Sequence, residues 1–159
     1  YRYQPDTRRI VLLDFGATRE IAPTVVDQYR RLIRAGLLND DGALMELAQG
    51  IGFFGAKTSS AHRAQILKMM RLVFEELTAQ EEFGFSNKTI VKQLQADGFA
   101  LIEDGFIPPP LPIELMLLHR KIAGIFLICA RLSASVDVAA LLRPYVLEQT
   151  DTEQSSRIK

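Results

Sequence analysis

Apolar and polar positions follow two different periods along this chain. The aliphatic run Ile10-Val11-Leu12-Leu13 comes after Pro5-Asp6-Thr7 and closes at Gly16, which predicts a short strand, with residues 1–4 able to pair with it as a hairpin. From Pro23 the repeat becomes helical, since Val25, Val26, Tyr29, Leu32 and Ile33 share a face and Gly36 lies near the end. Asp40 or Asp41 can cap a second helix with Leu44, Leu47 and Ala48 inward, broken by Gly50 and Gly52 before a loop over 52–55. Ser59 or Ser60 can cap a long helix through about Thr78, with Ile66, Met70, Val73, Phe74 and Leu77 at core spacing. A loop over 83–86 leads to Asn87, which caps a helix carrying Ile90, Val91 and Leu94 and reaching Ile102, with a break allowed at Gly98.

Pro108-Pro109-Pro110 and Pro112 stop any helix and stiffen an extended linker. The next segment, from about Ile113 to Leu132, is apolar almost all round apart from His119, Arg120, Lys121 and Arg131, which predicts a central, largely buried helix. Asp137 caps a last helix through Val146, and residues 150–159 read as a polar flexible tail on a domain spanning 1–149. The fold class that follows is mainly α: a short N-terminal strand or hairpin followed by about six helices.

Composition narrows the function classes. At 159 residues and 48% hydrophobic the chain fits one domain with a real core, and 19 basic against 19 acidic residues disfavour nucleic acid or an anionic membrane as the principal partner. Cys129 is the lone cysteine, so no internal disulfide forms, and its place in the apolar run Ile122–Ala130 suggests a packed thiol. That run falls well short of the roughly 20 residues needed to span a bilayer as a helix. Opening on Tyr1-Arg2-Tyr3-Gln4 without Met, the chain reads as the interior of a longer protein, and an exposed strand edge would make the isolated piece prone to self-association.

One motif carries chemistry. Asp14-Phe15-Gly16 follows the strand directly, and in phosphoryl transfer an acid at a strand exit can hold Mg²⁺ between nucleotide phosphates while the glycine turns the chain away. The alternative is an Asp14 that ends the strand by bonding the next backbone amides. Elsewhere structural readings prevail. His119-Arg120-Lys121 lies about 100 residues after Asp14, inside a helix, in the wrong order for a kinase catalytic loop. His62, just inside a helix start, reads as a surface or capping residue without a second metal ligand at useful spacing. Gly50, Gly52 and Gly55 lack the Gly-Lys-Ser/Thr of a phosphate loop, and Phe53 and Phe54 read as core or inter-helix contacts. The helical pattern resumes at Pro23, seven residues beyond Gly16, with no Ala-Pro-Glu, so a peptide substrate would have little platform.

Two ordered motifs, Leu12-Leu13-Asp14-Phe15-Gly16-Ala17-Thr18-Arg19-Glu20 and, after the prolines, Leu118-His119-Arg120-Lys121-Ile122-Ala123-Gly124-Ile125-Phe126-Leu127, resemble the C-terminal half of the ABC1/UbiB/ADCK atypical kinase family, nearest its Coq8-type branch. Gly50-Ile51-Gly52-Phe53 and Ala61-His62 sit where the family has comparable segments. The resemblance, over about Tyr1 to Val146, implies the C-lobe of a protein kinase-like (α+β) fold. It implies a small-molecule kinase or ATPase needed for ubiquinone production, using ATP and Mg²⁺. Asp14 carries over as the Mg²⁺ ligand, with Phe15 and Gly16 setting its loop at the cofactor, while Arg19 and Glu20 carry over as motif members only.

The same resemblance implies partners: an isoprenoid or quinone-precursor lipid, other quinone-synthesis proteins and a peripheral membrane surface. It places the protein on the cytoplasmic face of a bacterial inner membrane or, in a eukaryote, on the mitochondrial matrix side. The family's alanine-rich nucleotide loop, Lys-x-Gly-Gln segment, N-lobe lysine and catalytic-loop Asp and Asn are expected upstream of Tyr1. No catalytic residue is therefore expected within this piece, which should bind no cofactor by itself. A different expectation is a pseudokinase module that binds lipid or a partner without phosphoryl transfer.

Overall fold

The structure, a computed structural model, describes residues 2–13, 19–79 and 81–147. β1 (Arg2–Gln4) and β2 (Arg9–Val11) form an antiparallel hairpin in the register Arg2↔Val11, Tyr3↔Ile10, Gln4↔Arg9. The strand is thus shorter than the aliphatic run: the described pairing ends at Arg2↔Val11, and Leu12 and Leu13 lie exposed.

Six helices follow among the described residues: α1 (Pro23–Leu37), α2 (Asp41–Ile51), α3 (Ser60–Thr78), α4 (Lys88–Glu103), α5 (Ile113–Arg131) and α6 (Val138–Val146). Their starts obey local capping chemistry. The side chains of Asp40, Ser59, Asn87 and Asp137 each accept a backbone N–H from the first turn of α2, α3, α4 and α6. α1 opens without a side-chain cap but has Pro23 at its start, where the missing N–H costs nothing. Gly98 does not break α4. Two pairs the sequence left as loop, β3 (Phe83–Gly84) and β4 (Ser135–Val136), join antiparallel and tie the entrance of α4 to the exit of α5.

α1 packs on α2, α3 and α6, and α3 packs on α2, α4 and α6. The core between them is built from Leu32 and Ala35 of α1, Leu44, Ala48 and Ile51 of α2, Phe54 of the following loop, Ile66 of α3, Leu101 of α4 and Leu115 of α5. Arg71 on α3 grips both carboxylate oxygens of Asp41 on α2, its Nε at 2.7 Å from Oδ1, and this carboxylate holds the guanidinium above its ordinary pKa.

Gly36 marks the closest approach. It is buried in α1, and a Cβ placed there would fall inside van der Waals contact of the Phe74 ring on α3. Gly36→Ala gains about 1 kcal/mol of helix propensity but forces the ring aside, an overpacking cost of about 1–3 kcal/mol. The expected result is a net lower melting temperature, partly recovered in the double variant with Phe74→Leu. A melting temperature that rises in the single variant would mean the ring moves freely.

α5 departs most from expectation. Leu115 is its only buried residue, and Met116, Leu127, Ile128 and the flanking Leu132 stand at 50–74% exposure. The apolar composition of this helix is real, but among the described residues neighbours cover little of it, and Ile122 at 52% and Ile125 at 49% are open as well. Cys129 is accordingly partly buried rather than sealed.

Candidate functional site

Asp14, Phe15 and Gly16, the candidate metal ligand and its loop, lie outside the described residues, as do 148–159 with the polar tail. What the structure shows is how the chain on either side of the motif is held. The hairpin delivers Leu12 and Leu13 on one side. On the other, Arg19 Nη2 donates to Glu114 Oε1 at 2.7 Å, joining the motif's C-terminal flank to the first turn of α5, 95 residues away in sequence. Both side chains are partly solvated, so the pair contributes about 0–1 kcal/mol and acts chiefly as a positional tie. Nothing in the sequence pointed to this partnership, because ion pairs between distant segments leave no local pattern.

One turn further into α5, His119 docks the helix. Its Nε2 lies 2.5 Å from the Tyr29 hydroxyl of α1, and its ring stacks on Phe53 with centroids 5.7 Å apart. His119 is structural, as the sequence suggested, and the long-range contacts give the reason. Burial holds its imidazole below the ordinary value of 6.5 and raises the Tyr29 phenol above 10.0. The sign follows. As pH falls through 6.5 the unfolded chain takes up a proton that folded His119 resists, so stability present above 6.5 declines down to the lower folded value. Melting at pH 7.5 and 5.5 should show wild type losing more stability on acidification than His119→Gln; equal losses would remove His119 as the source.

His62 corrects the sequence reading. Its backbone N–H meets the Ser59 cap, but its side chain is only 16% exposed: Nε2 lies 3.0 Å from Asp104 Oδ2 at the end of α4, and the ring meets Phe106 edge-on. It fastens α3 to α4 beside an open cleft of about 420 Å³ lined by Lys57, Thr58, Ser59, Phe106 and Ile107 among others. The loop preceding α3 is held by local hydrogen bonds. Gly52 ends α2 with φ 104°, a left-handed turn that favours glycine. Thr58 Oγ1 accepts from the Gly55 N–H at 3.1 Å, and Arg63 donates to the carbonyls of Thr58 at 2.9 Å and Ala56 at 2.5 Å.

Among the described residues no group of three or more His, Cys, Asp or Glu side chains could hold a metal ion. No described helix is long and apolar enough to cross a membrane.

Comparison with known proteins decides the kinship. The chain is 32% identical over 146 residues, 90% of its length, to the atypical kinase COQ8, mitochondrial, of Saccharomyces cerevisiae. It is 32% identical over 134 residues to the atypical kinase coq-8, mitochondrial, of Caenorhabditis elegans, and 27% over 132 residues to COQ8B of Danio rerio. The chain matches the C-terminal half of the ABC1/UbiB/ADCK atypical kinase family. No protein-family model matches it. The chain spans 28%, 17% and 21% of those three relatives' own length. Its six helices and short leading hairpin are consistent with a kinase-like C-lobe.

Proposed function

We propose that this lobe belongs to an atypical small-molecule kinase or ATPase that supports ubiquinone synthesis in mitochondria. Residues 1–149 form the kinase-like part, 150–159 its polar tail, and Asp14 is a Mg²⁺ ligand at the nucleotide phosphates with Phe15 and Gly16 shaping its loop. The observation that carries this reading is the similarity to atypical kinases across 90% of the chain. The supporting geometry is the flanking framework: a hairpin leading in, and the Arg19–Glu114 tie leading out toward α1. A hard divalent cation takes oxygen ligands, and an aspartate at a strand exit offers one to a bridging metal.

The lobe by itself offers one such ligand and no phosphate-binding lysine, so the complete polypeptide is what binds Mg·ATP. An isoprenoid or quinone-precursor lipid is the proposed substrate class or effector, with a peripheral membrane surface and other quinone-synthesis proteins as neighbours. The test is thermal stabilisation of the complete protein by Mg·ADP, wild type against Asp14→Asn. A Mg²⁺-dependent shift lost in the variant supports the reading. No shift in either protein favours a pseudokinase that binds lipid or a partner without phosphoryl transfer.

A further inference from the structure

Arg19, a motif member without a task in the sequence, acquires one from its contact. Among the described residues between Val11 and Pro23, it alone makes a polar side-chain contact with another element, donating from Nη2 to Glu114 Oε1 at 2.7 Å. The accepting end is firmly placed. Glu114 precedes Leu115, the residue by which α5 enters the core, and one turn on His119 is docked against Tyr29 and Phe53. A carboxylate also sits well in the first turn of a helix, where the macrodipole is positive.

Both approaches to the motif are therefore set by other parts of the fold. The hairpin, paired as far as Arg2↔Val11, fixes the way in, and α5 fixes the way out. Arg19 follows Asp14 by five residues, a contour of at most roughly 17 Å, so pinning the guanidinium limits where the Asp14 carboxylate can stand. A segment held at both ends gives up less conformational freedom when it takes a cation. The pair adds little stability, because both side chains are partly solvated; what it supplies is a place.

We propose that Arg19, clasped by Glu114, is a positioning residue for Asp14, and that this pair raises the affinity of the complete protein for Mg·ADP. The proposal rests on the reading of Asp14 as a Mg²⁺ ligand.

The test compares Mg·ADP affinity, from the ligand-dependent melting shift of the complete protein, in wild type, Glu114→Gln, Arg19→Gln and the exchanged pair Arg19→Glu with Glu114→Arg. Arg71→Gln, which breaks the ion pair with Asp41 between α3 and α2, is the control. Both single variants should melt near wild type without ligand and bind Mg·ADP on the order of tenfold more weakly, the lower end of what supporting partners of a metal ligand cost. The exchanged pair should regain most of that loss, and ADP without Mg²⁺ should be bound alike by all. Unchanged affinity in Glu114→Gln overturns the proposal. So does a loss confined to Arg19→Gln or not restored by the exchange, which would put Arg19 on the nucleotide itself. An equal loss with and without Mg²⁺, with a lower ligand-free melting temperature, makes the pair merely structural and overturns it too. The two readings fail differently. A wild type without a Mg·ADP shift, or an Asp14→Asn that keeps it, sinks the metal assignment and this proposal with it, whereas a shift lost in Asp14→Asn and kept in Glu114→Gln sinks this proposal alone.

Discussion

Asp14→Asn in the complete protein should abolish the stabilisation by Mg·ADP while leaving the unliganded protein folded and melting close to wild type. The substitution keeps the side chain's shape and removes the charge, and a hard divalent cation that retains most of its water shell depends on that charge. Ligand at a hundred times its Kd stabilises by about 2.7 kcal/mol, a shift of several degrees in a thermal scan. Three titrations separate the causes: ADP alone, Mg²⁺ alone and both together. A variant that keeps the full Mg²⁺-dependent shift would remove Asp14 from the metal and leave it the strand-ending role. If the variant melts well below wild type without ligand, Asp14 is structural, and the ligand comparison must be repeated with Asp14→Glu, which restores charge but moves it by one methylene.

Phe54→Ala should cost about 3–5 kcal/mol, the largest stability loss of any single truncation in this lobe. Phe54 is 1% exposed and, with Leu44, is one of the two largest fully sealed side chains. It belongs to the loop between α2 and α3, which cannot collapse to fill the void. Gly52 ends α2 in a left-handed turn, Thr58 and Arg63 fix the next residues, and the Arg63 guanidinium lies 5.8 Å from the ring centroid. The Ala variant should therefore melt roughly 10 °C lower at this chain size, and Phe54→Leu only a fraction of that. A loss below about 1 kcal/mol would show that the loop relaxes and that its hydrogen bonds do not hold it. The same variant should leave the Mg·ADP shift intact wherever it remains folded, which separates stability from the proposed site.

These predictions draw unequally on what could be read from residue order. Asp40, Ser59, Asn87 and Asp137 cap the helices the periodicity assigned to them, because capping is a bond between neighbours three or fewer positions apart. The same holds for Pro23 at the start of α1. The site was legible only as a motif: Asp14-Phe15-Gly16 could be picked out by its chemistry, whereas Arg19 and Glu20 could be given no task. The contact of Arg19 with Glu114 depends on how a whole lobe folds. His62 was misjudged for a related reason. Its position just inside a helix start looks solvent-facing, and its partner Asp104 lies 42 residues later, brought near by the packing of α4 on α3.

The sequence by itself determined the leading hairpin, the order and approximate bounds of the six helices and the family resemblance, but not the β3–β4 pair, since periodicity, caps and proline placement act over a few residues and need no tertiary context. The tertiary structure alone decided that Phe54 rather than Phe53 is sealed in the core, that His119 docks α5 onto Tyr29, and that Gly36 is required by the Phe74 ring. It also decided that α5 buries Leu115 alone. Hydrophobicity along a helix says that a face must be covered, but what covers it depends on which other segments reach that face, and within the described residues they reach it at Glu114, Leu115, His119 and Phe126 while leaving Ile122, Leu127 and Ile128 open.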